Sequence, residues 1–224
     1  MVKEIFLIRQ SWQKQLQIAR SIAVIRADSF NQGLAMAKAV SAGGMSLIEI
    51  TWNSDRALEL VNRLRQELPD CTIGMGTIVS TAALGEAIAA GAEFLFSPHT
   101  DRNLIDAAID RAVPIIPGAL TPTEILTAWQ AGAASVKVFP IQAVGGASYI
   151  RAIQAPLGDL PLIPTGGVTP DNAASFLAAG AIAVGLSGQL FPSGAIAGGN
   201  WAEITRRAEG LMERVKSFQL DDRH

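Results

Sequence analysis

The chain is built on a repeat. Short β-branched or apolar runs alternate with Ala-rich segments of helical periodicity at intervals of roughly 20 to 25 residues. The runs are Ile22–Ala27, Leu47–Thr51, Thr72–Thr77, Phe94–Pro98, Val113–Pro117, Ser135–Pro140, Pro161–Thr165 and Ile182–Leu186, and a segment that reads as helix follows each. Eight βα units predict closure into a (β/α)₈ TIM barrel. A doubly wound open sheet uses the same alternation, but its dinucleotide-binding form needs a Gly-rich fingerprint after the first strand, and this chain has none there. Glycines punctuate the repeat at Gly43, Gly91, Gly132 and Gly180, where helices should stop. Thr169 and Pro170 are placed to begin a helix over Pro170–Ala179.

Outside the repeat, Lys3–Ala19 reads as an extra amphipathic helix that covers the barrel's bottom, and Trp201–Phe218 reads as the closing helix. The expected organisation is one domain over residues 1–224. An N-terminal helix occupies 1–20, the barrel core 21–192, and the closing helix and tail 193–224. The 224 residues suit a single barrel, and a composition 49% hydrophobic and 17% charged supplies its core. Net charge is −2 with the charges scattered singly, so neither a nucleic acid nor an anionic membrane is an expected partner. No run is long enough for a membrane span. Cys71 is the only cysteine, which excludes an intrachain disulfide and reads as a small buried residue. The start MVKEIFLIRQ lacks the features of a signal peptide, so a cytoplasmic setting is expected.

Barrel active sites form at the C-terminal ends of the strands, so polar residues there are the candidates. In Ser135-Val136-Lys137-Val138-Phe139, alternation sends Val136 and Val138 toward the helices and Ser135, Lys137 and Phe139 into the barrel. A lysine buried in that way is either paired or has a lowered pKa that frees a neutral amine, the form needed to attack a carbonyl and make an imine. A structural ion pair is the competing explanation. Glu49, in Leu47-Ile48-Glu49-Ile50-Thr51, shares the inward face and is the natural partner of Lys137, as a counter-ion or as a proton shuttle. Arg26, at the end of the first run, shares the parity of Val24, and its guanidinium suits a substrate carboxylate; a surface arginine lying over apolar atoms is the competing explanation. Thr77 ends the third strand after Gly74-Met75-Gly76, two glycines that would let a ligand approach the backbone. The seventh run leads into Thr165-Gly166-Gly167-Val168 and the eighth into Gly185-Leu186-Ser187-Gly188. Loops at these two positions are the recurrent phosphate site of barrels, because backbone N–H groups and helix dipoles favour an anion. Gly145-Gly146 would add further amides.

The motifs Glu49-Ile50-Thr51, Gly74-Met75-Gly76-Thr77, Ser97-Pro98, Ile116-Pro117-Gly118, Lys137-Val138-Phe139-Pro140 and Thr165-Gly166-Gly167-Val168 stand in the order and spacing of the KDPG/KHG aldolase family. The chain resembles that family over about residues 20 to 192. The resemblance implies a class I, Schiff-base aldolase and a homotrimer, with no cofactor. It would cleave 2-keto-3-deoxy-6-phosphogluconate or its galactonate counterpart to pyruvate and glyceraldehyde 3-phosphate, or 4-hydroxy-2-oxoglutarate to pyruvate and glyoxylate. Carried over by position, Lys137 forms the imine and Glu49 is the general acid and base. Thr77, Pro98 and Phe139 surround the pyruvyl part, and Gly166 and Gly167 hold the phosphate.

Two departures bear on substrate choice. Phosphogluconate-type members usually carry an arginine four residues after the glutamate, where this chain has Asn53. The surrounding residues, with Ile25-Arg26, look more like the phosphogalactonate branch, in which the first-strand arginine holds the carboxylate. At the eighth strand the family commonly shows Gly-Ser, whereas here Ser187 precedes Gly188, an order that either shifts or removes the hydroxyl contact to phosphate and leaves the backbone amides. A metal-dependent aldolase is disfavoured because the chain has only two histidines, His99 and His224. The alternatives left open are a phosphate-binding barrel isomerase or synthase, which shares the loops but has no need of Lys137, and a non-catalytic barrel.

Overall fold

Parallel strands form at all eight predicted positions, most of them shorter than the predicted run. A computed structural model describes residues 2–220; His224 and the rest of the predicted tail lie outside the described residues. The strands are β1 (Ser21–Ile25), β2 (Leu47–Thr51), β3 (Thr72–Gly76), β4 (Leu95–Phe96), β5 (Ile115–Ile116), β6 (Gly118–Ala119), β7 (Val136–Val138), β8 (Leu162–Pro164) and β9 (Val184–Leu186). The fifth stave is two strands, the second lying beyond the predicted run, because Pro117 has no N–H to donate to a ladder. On one side of it β5 pairs with β4, and on the other β6 pairs with β7.

The strands run β5-β4-β3-β2-β1-β9 in one sheet and β6-β7-β8 in the other. The sheets meet at Pro117 and again at a parallel bridge between Thr165 and Gly185, so the eight staves close into a barrel. Gly185 suits that seam, since a Cβ there would lie 2.5 Å from Thr165 Oγ1.

The helices are α1 (Val2–Ala19), α2 (Phe30–Ala42), α3 (Ala57–Glu67), α4 (Thr81–Ala89), α5 (Arg102–Ile109), α6 (Pro122–Gln130), α7 (Ala147–Leu157), α8 (Ala173–Ala178), α9 (Ser193–Ala197) and α10 (Trp201–Leu220). Side chains of Ser29, Ser80, Asp101 and Thr121 cap the first turns of α2, α4, α5 and α6. Gly91, Gly132 and Gly180 end their helices in the left-handed conformation that glycine tolerates. The helix predicted from Pro170 starts instead at Ala173. Its first residues are held in a turn, in which Thr169 N–H donates to Asn172 Oδ1 (2.8 Å) and Asn172 N–H to Thr169 Oγ1 (3.1 Å).

Strand parity separates two apolar layers. Outward residues such as Ile25, Ile48, Ile50, Ile73, Val136 and Val138 pack beneath the helices. The inward set, including Ile22, Val24, Leu47, Phe94, Phe96 and Ile163, gathers with Trp12 and Leu16 of α1. Helix α1 therefore plugs the bottom of the barrel, as its amphipathic pattern predicts. The buried Trp12 Nε1 donates to Ser135 Oγ (2.9 Å), and the Arg9 guanidinium lies 3.5 Å from the Trp129 ring centroid. With the lower interior filled, the inward charged residues one step higher, Glu49 on β2 and Lys137 on β7, define the site. Among the described residues, no helix is long and apolar enough to cross a membrane.

Candidate active site

Lys137 stands at the centre of β7, with Gly118 and Ile163 as its register partners. Its flanking valines are fully buried under the helices, and the lysine, 8% exposed, extends over two aromatic faces. Nζ lies 4.8 Å from the Phe139 ring centroid and 5.7 Å from that of Phe96. Aromatic faces attract a cation and keep bulk water off the amine. Gly118 is required beside it, because a Cβ there would meet the Pro98 carbonyl oxygen at 2.3 Å. Its absence lets the chain after β4 lean over the stave next to Lys137.

Glu49 enters from β2 and is 1% exposed, with neither carboxylate oxygen hydrogen-bonded. Its seat is Gly76, where a Cβ would fall 1.7 Å from Glu49 Oε1. Likewise a Cβ on Gly74 would meet the Phe94 ring at 2.3 Å. The two glycines thus accommodate the protein's own carboxylate and ring. Burial pushes the Glu49 carboxyl above the ordinary carboxylate range, and the positive charges of Lys137 and Arg26 pull it back only in part.

The expected contact between Glu49 and Lys137 takes a different form. Among the described residues, neither joins an ion pair within 4.0 Å. The cause is topological: β2 and β7 are the second and sixth of eight staves, on opposite walls of the barrel. The two groups face each other across the interior, electrostatically coupled and separated by a gap.

Around the rim, Arg26 is exposed just beyond β1, and its charge reaches Glu49. Thr77, half-buried, has φ +62. A β-branched residue is strained there by about 1–3 kcal/mol, a cost typically retained at functional sites. Pro98 is half-buried beside Gly118, and Phe139 is 38% exposed over Lys137. Asn53 is exposed and makes no hydrogen bond among the described residues. Phe96 escapes the sequence reading, although its shared parity with Phe94 was signal enough to place it inside. Among the described residues, no group of three or more His, Cys, Asp or Glu could hold a metal ion.

This arrangement, an inward lysine facing a buried carboxylate, coincides with a sequence match. The family pattern described as KDPG and KHG aldolase matches residues 12–207. The chain belongs to the KDPG and KHG aldolase family. It is therefore an aldolase, a carbon–carbon lyase. Among its relatives is the 2-dehydro-3-deoxy-phosphogluconate aldolase of Pseudomonas aeruginosa, 33% identical over 196 residues, which span 88% of this chain and 89% of that protein. The KDPG aldolase of Legionella pneumophila, solved with pyruvate captured as a covalent carbinolamine intermediate, superposes with a TM-score of 0.81 at 29% identity, over 88% of this chain and 95% of that one. A native KDPGal structure gives the same TM-score at 28% identity, with the same coverage of both chains.

In this member of the KDPG and KHG aldolase family, the loops after β8 and β9 lie on the closing seam. Gly166 and Gly167 have φ +87 and +94, which favours glycine at both positions. Their neighbour is the segment after β7. Ile141 N–H donates to Thr165 O and Gln142 N–H to Gly166 O, each at 3.0 Å, and a Cβ on Gly166 would lie 3.1 Å from the Phe139 ring. Thr165 is buried, with its hydroxyl directed to Ile163 O (3.4 Å). Ser187 and Gly188 are exposed at the end of β9. Gly145 and Gly146 add no free amides, because both N–H groups donate to Ile141 O.

Proposed function

We propose that this aldolase works through an imine on Lys137, with Glu49 carrying the protons. The neutral Lys137 amine adds to the C2 carbonyl of a 2-keto-3-deoxy acid, and the carbinolamine loses water to give a protonated imine. Glu49 takes the proton of the C4 hydroxyl, directly or through a water. The C3–C4 electron pair then flows into the iminium, releasing an aldehyde and leaving an enamine. Glu49 returns the proton to C3, and hydrolysis frees pyruvate and the lysine. Burial raises the Glu49 carboxyl above its ordinary range, which makes its carboxylate a stronger base toward the C4 hydroxyl than an exposed one. The observation that carries this reading is the buried Lys137 facing an unbonded, fully buried Glu49 across the barrel.

Arg26 takes the substrate carboxylate in place of the arginine absent at Asn53, while Thr77, Pro98 and Phe139 enclose the pyruvyl part. The N–H groups of Gly166 and Gly167, with Ser187 and Gly188, receive the phosphate of a phosphogluconate- or phosphogalactonate-type acid. The unphosphorylated 4-hydroxy-2-oxoglutarate is the second substrate. A single-domain chain, with 1–20 closing the bottom, 21–192 as barrel and 193–224 as closing helix and tail, goes with this reading. So do a homotrimer, from the family resemblance, and a cytoplasmic setting, to which a lone cysteine is suited.

Pyruvate alone tests the chemistry. In D₂O the enzyme should exchange the pyruvate methyl protons, followed by proton NMR, because an enamine forms and is reprotonated. Arg26→Ala should raise the half-saturating pyruvate concentration by roughly tenfold, as loss of a charged hydrogen-bonded contact would. Absence of exchange in the wild type contradicts the reading, and an unchanged half-saturation removes Arg26 from the site.

A further inference from the structure

The peptides that follow β8 are anchored by their carbonyls, and that orientation has a cause outside the site. Thr165 O and Gly166 O accept N–H groups of the segment after β7, and Gly167 O accepts Asn172 Nδ2 (3.1 Å). In a planar trans peptide the N–H points opposite to the C=O. Fixing Gly166 O and Gly167 O therefore turns the N–H groups of Gly167 and Val168 away from Gln142 and Asn172. Neither N–H has a protein acceptor among the described residues.

The amide of Asn172 has only one workable orientation. Its Oδ1 accepts the Thr169 N–H (2.8 Å), so the NH₂ end faces Gly167 O, while its own N–H donates to Thr169 Oγ1 (3.1 Å). Three bonds thus tie one side chain and its backbone to both ends of the Gly167–Thr169 stretch. Left-handed glycines are free to flip their peptides, and no other hydrogen bond in the described structure holds the Gly167–Val168 peptide, although the Val168 side chain is buried in the core.

We infer that Asn172 is a positioning residue for the phosphate end of the substrate, holding the Val168 amide toward the anion, beside the Gly167 amide that Gln142 fixes through Gly166 O, without touching the anion itself. This rests on the proposed reading of the loop after β8 as a phosphate site. Asn172→Ala removes all the side-chain contacts. Asn172→Asp keeps the acceptor for Thr169 N–H but replaces the donor to Gly167 O by an oxygen and adds a negative charge, so Asn172→Ala is the variant that reads the lost contacts alone. Both variants should raise KM for the phosphorylated keto acid, and weaken competitive inhibition by inorganic phosphate, by roughly 10- to 100-fold, the scale of hydrogen bonds to a charged group. Turnover, KM for 4-hydroxy-2-oxoglutarate and pyruvate methyl exchange should stay within about twofold, because only binding common to ground and transition states is lost. Unchanged phosphate affinity, or an equal loss with both substrates and in the exchange, would overturn the role of Asn172. A wild type that ignores phosphate and does not favour the phosphorylated acid would instead refute the phosphate site, and the inference with it.

Discussion

Lys137→Ala should reduce pyruvate release by on the order of 10⁴-fold or more, the scale seen when a covalent nucleophile is removed. A methyl group cannot add to a carbonyl, and among the described residues no second lysine lies in the barrel interior. The fold should survive, because the bottom plug and both apolar layers lie below or outside this position. Lys137→Arg should fail equally, since a guanidinium does not supply a neutral amine. Steady-state assays with circular dichroism as the folding control check both. Near-normal cleavage by a folded Lys137→Ala protein is incompatible with the proposed mechanism.

Glu49→Gln should slow turnover by roughly 10²- to 10⁴-fold, the usual contribution of a positioned general acid–base. The amide is nearly isosteric in the seat above Gly76, so imine formation with pyruvate should persist while methyl exchange collapses. Stability should move the other way. Burial raises the Glu49 carboxyl in the folded state, so the folded chain binds that proton more tightly than the unfolded chain does. Wild-type stability is therefore lost as pH rises from the ordinary carboxylate range through the raised value. At neutral pH Glu49→Gln should melt at a higher temperature than wild type, and the difference should vanish in acid, where the carboxyl is protonated in both states. Differential scanning calorimetry across pH measures this, and a lower melting temperature at neutral pH would contradict the dominance of burial.

The sequence made faces legible, but not partners across the barrel. Period-two alternation is local, and it placed Lys137 and Glu49 inside because their valine and isoleucine neighbours had to lie outside. The helix stops at Gly91, Gly132 and Gly180 were readable for a similar reason, since positive φ is written into one residue type. What lay beyond reach depends on distant contacts. That Gly74 and Gly76 yield their space to Phe94 and Glu49 requires the register of three strands. The spent amides of Gly145 and Gly146, the left-handed Thr77 and the delayed start of α8 each follow from a local hydrogen-bonded turn or backbone strain that residue type does not announce. The gap between Glu49 and Lys137 comes from their opposite staves, a property of closure rather than of either segment.

Borohydride trapping reads the imine on Lys137 itself. The wild-type protein is incubated with pyruvate and borohydride, weighed intact by mass spectrometry, and then mapped by peptide. A single reduced pyruvyl adduct on Lys137, absent without pyruvate, is the predicted result. An adduct on another lysine, or none while pyruvate is shown to bind, would contradict Schiff-base catalysis at Lys137.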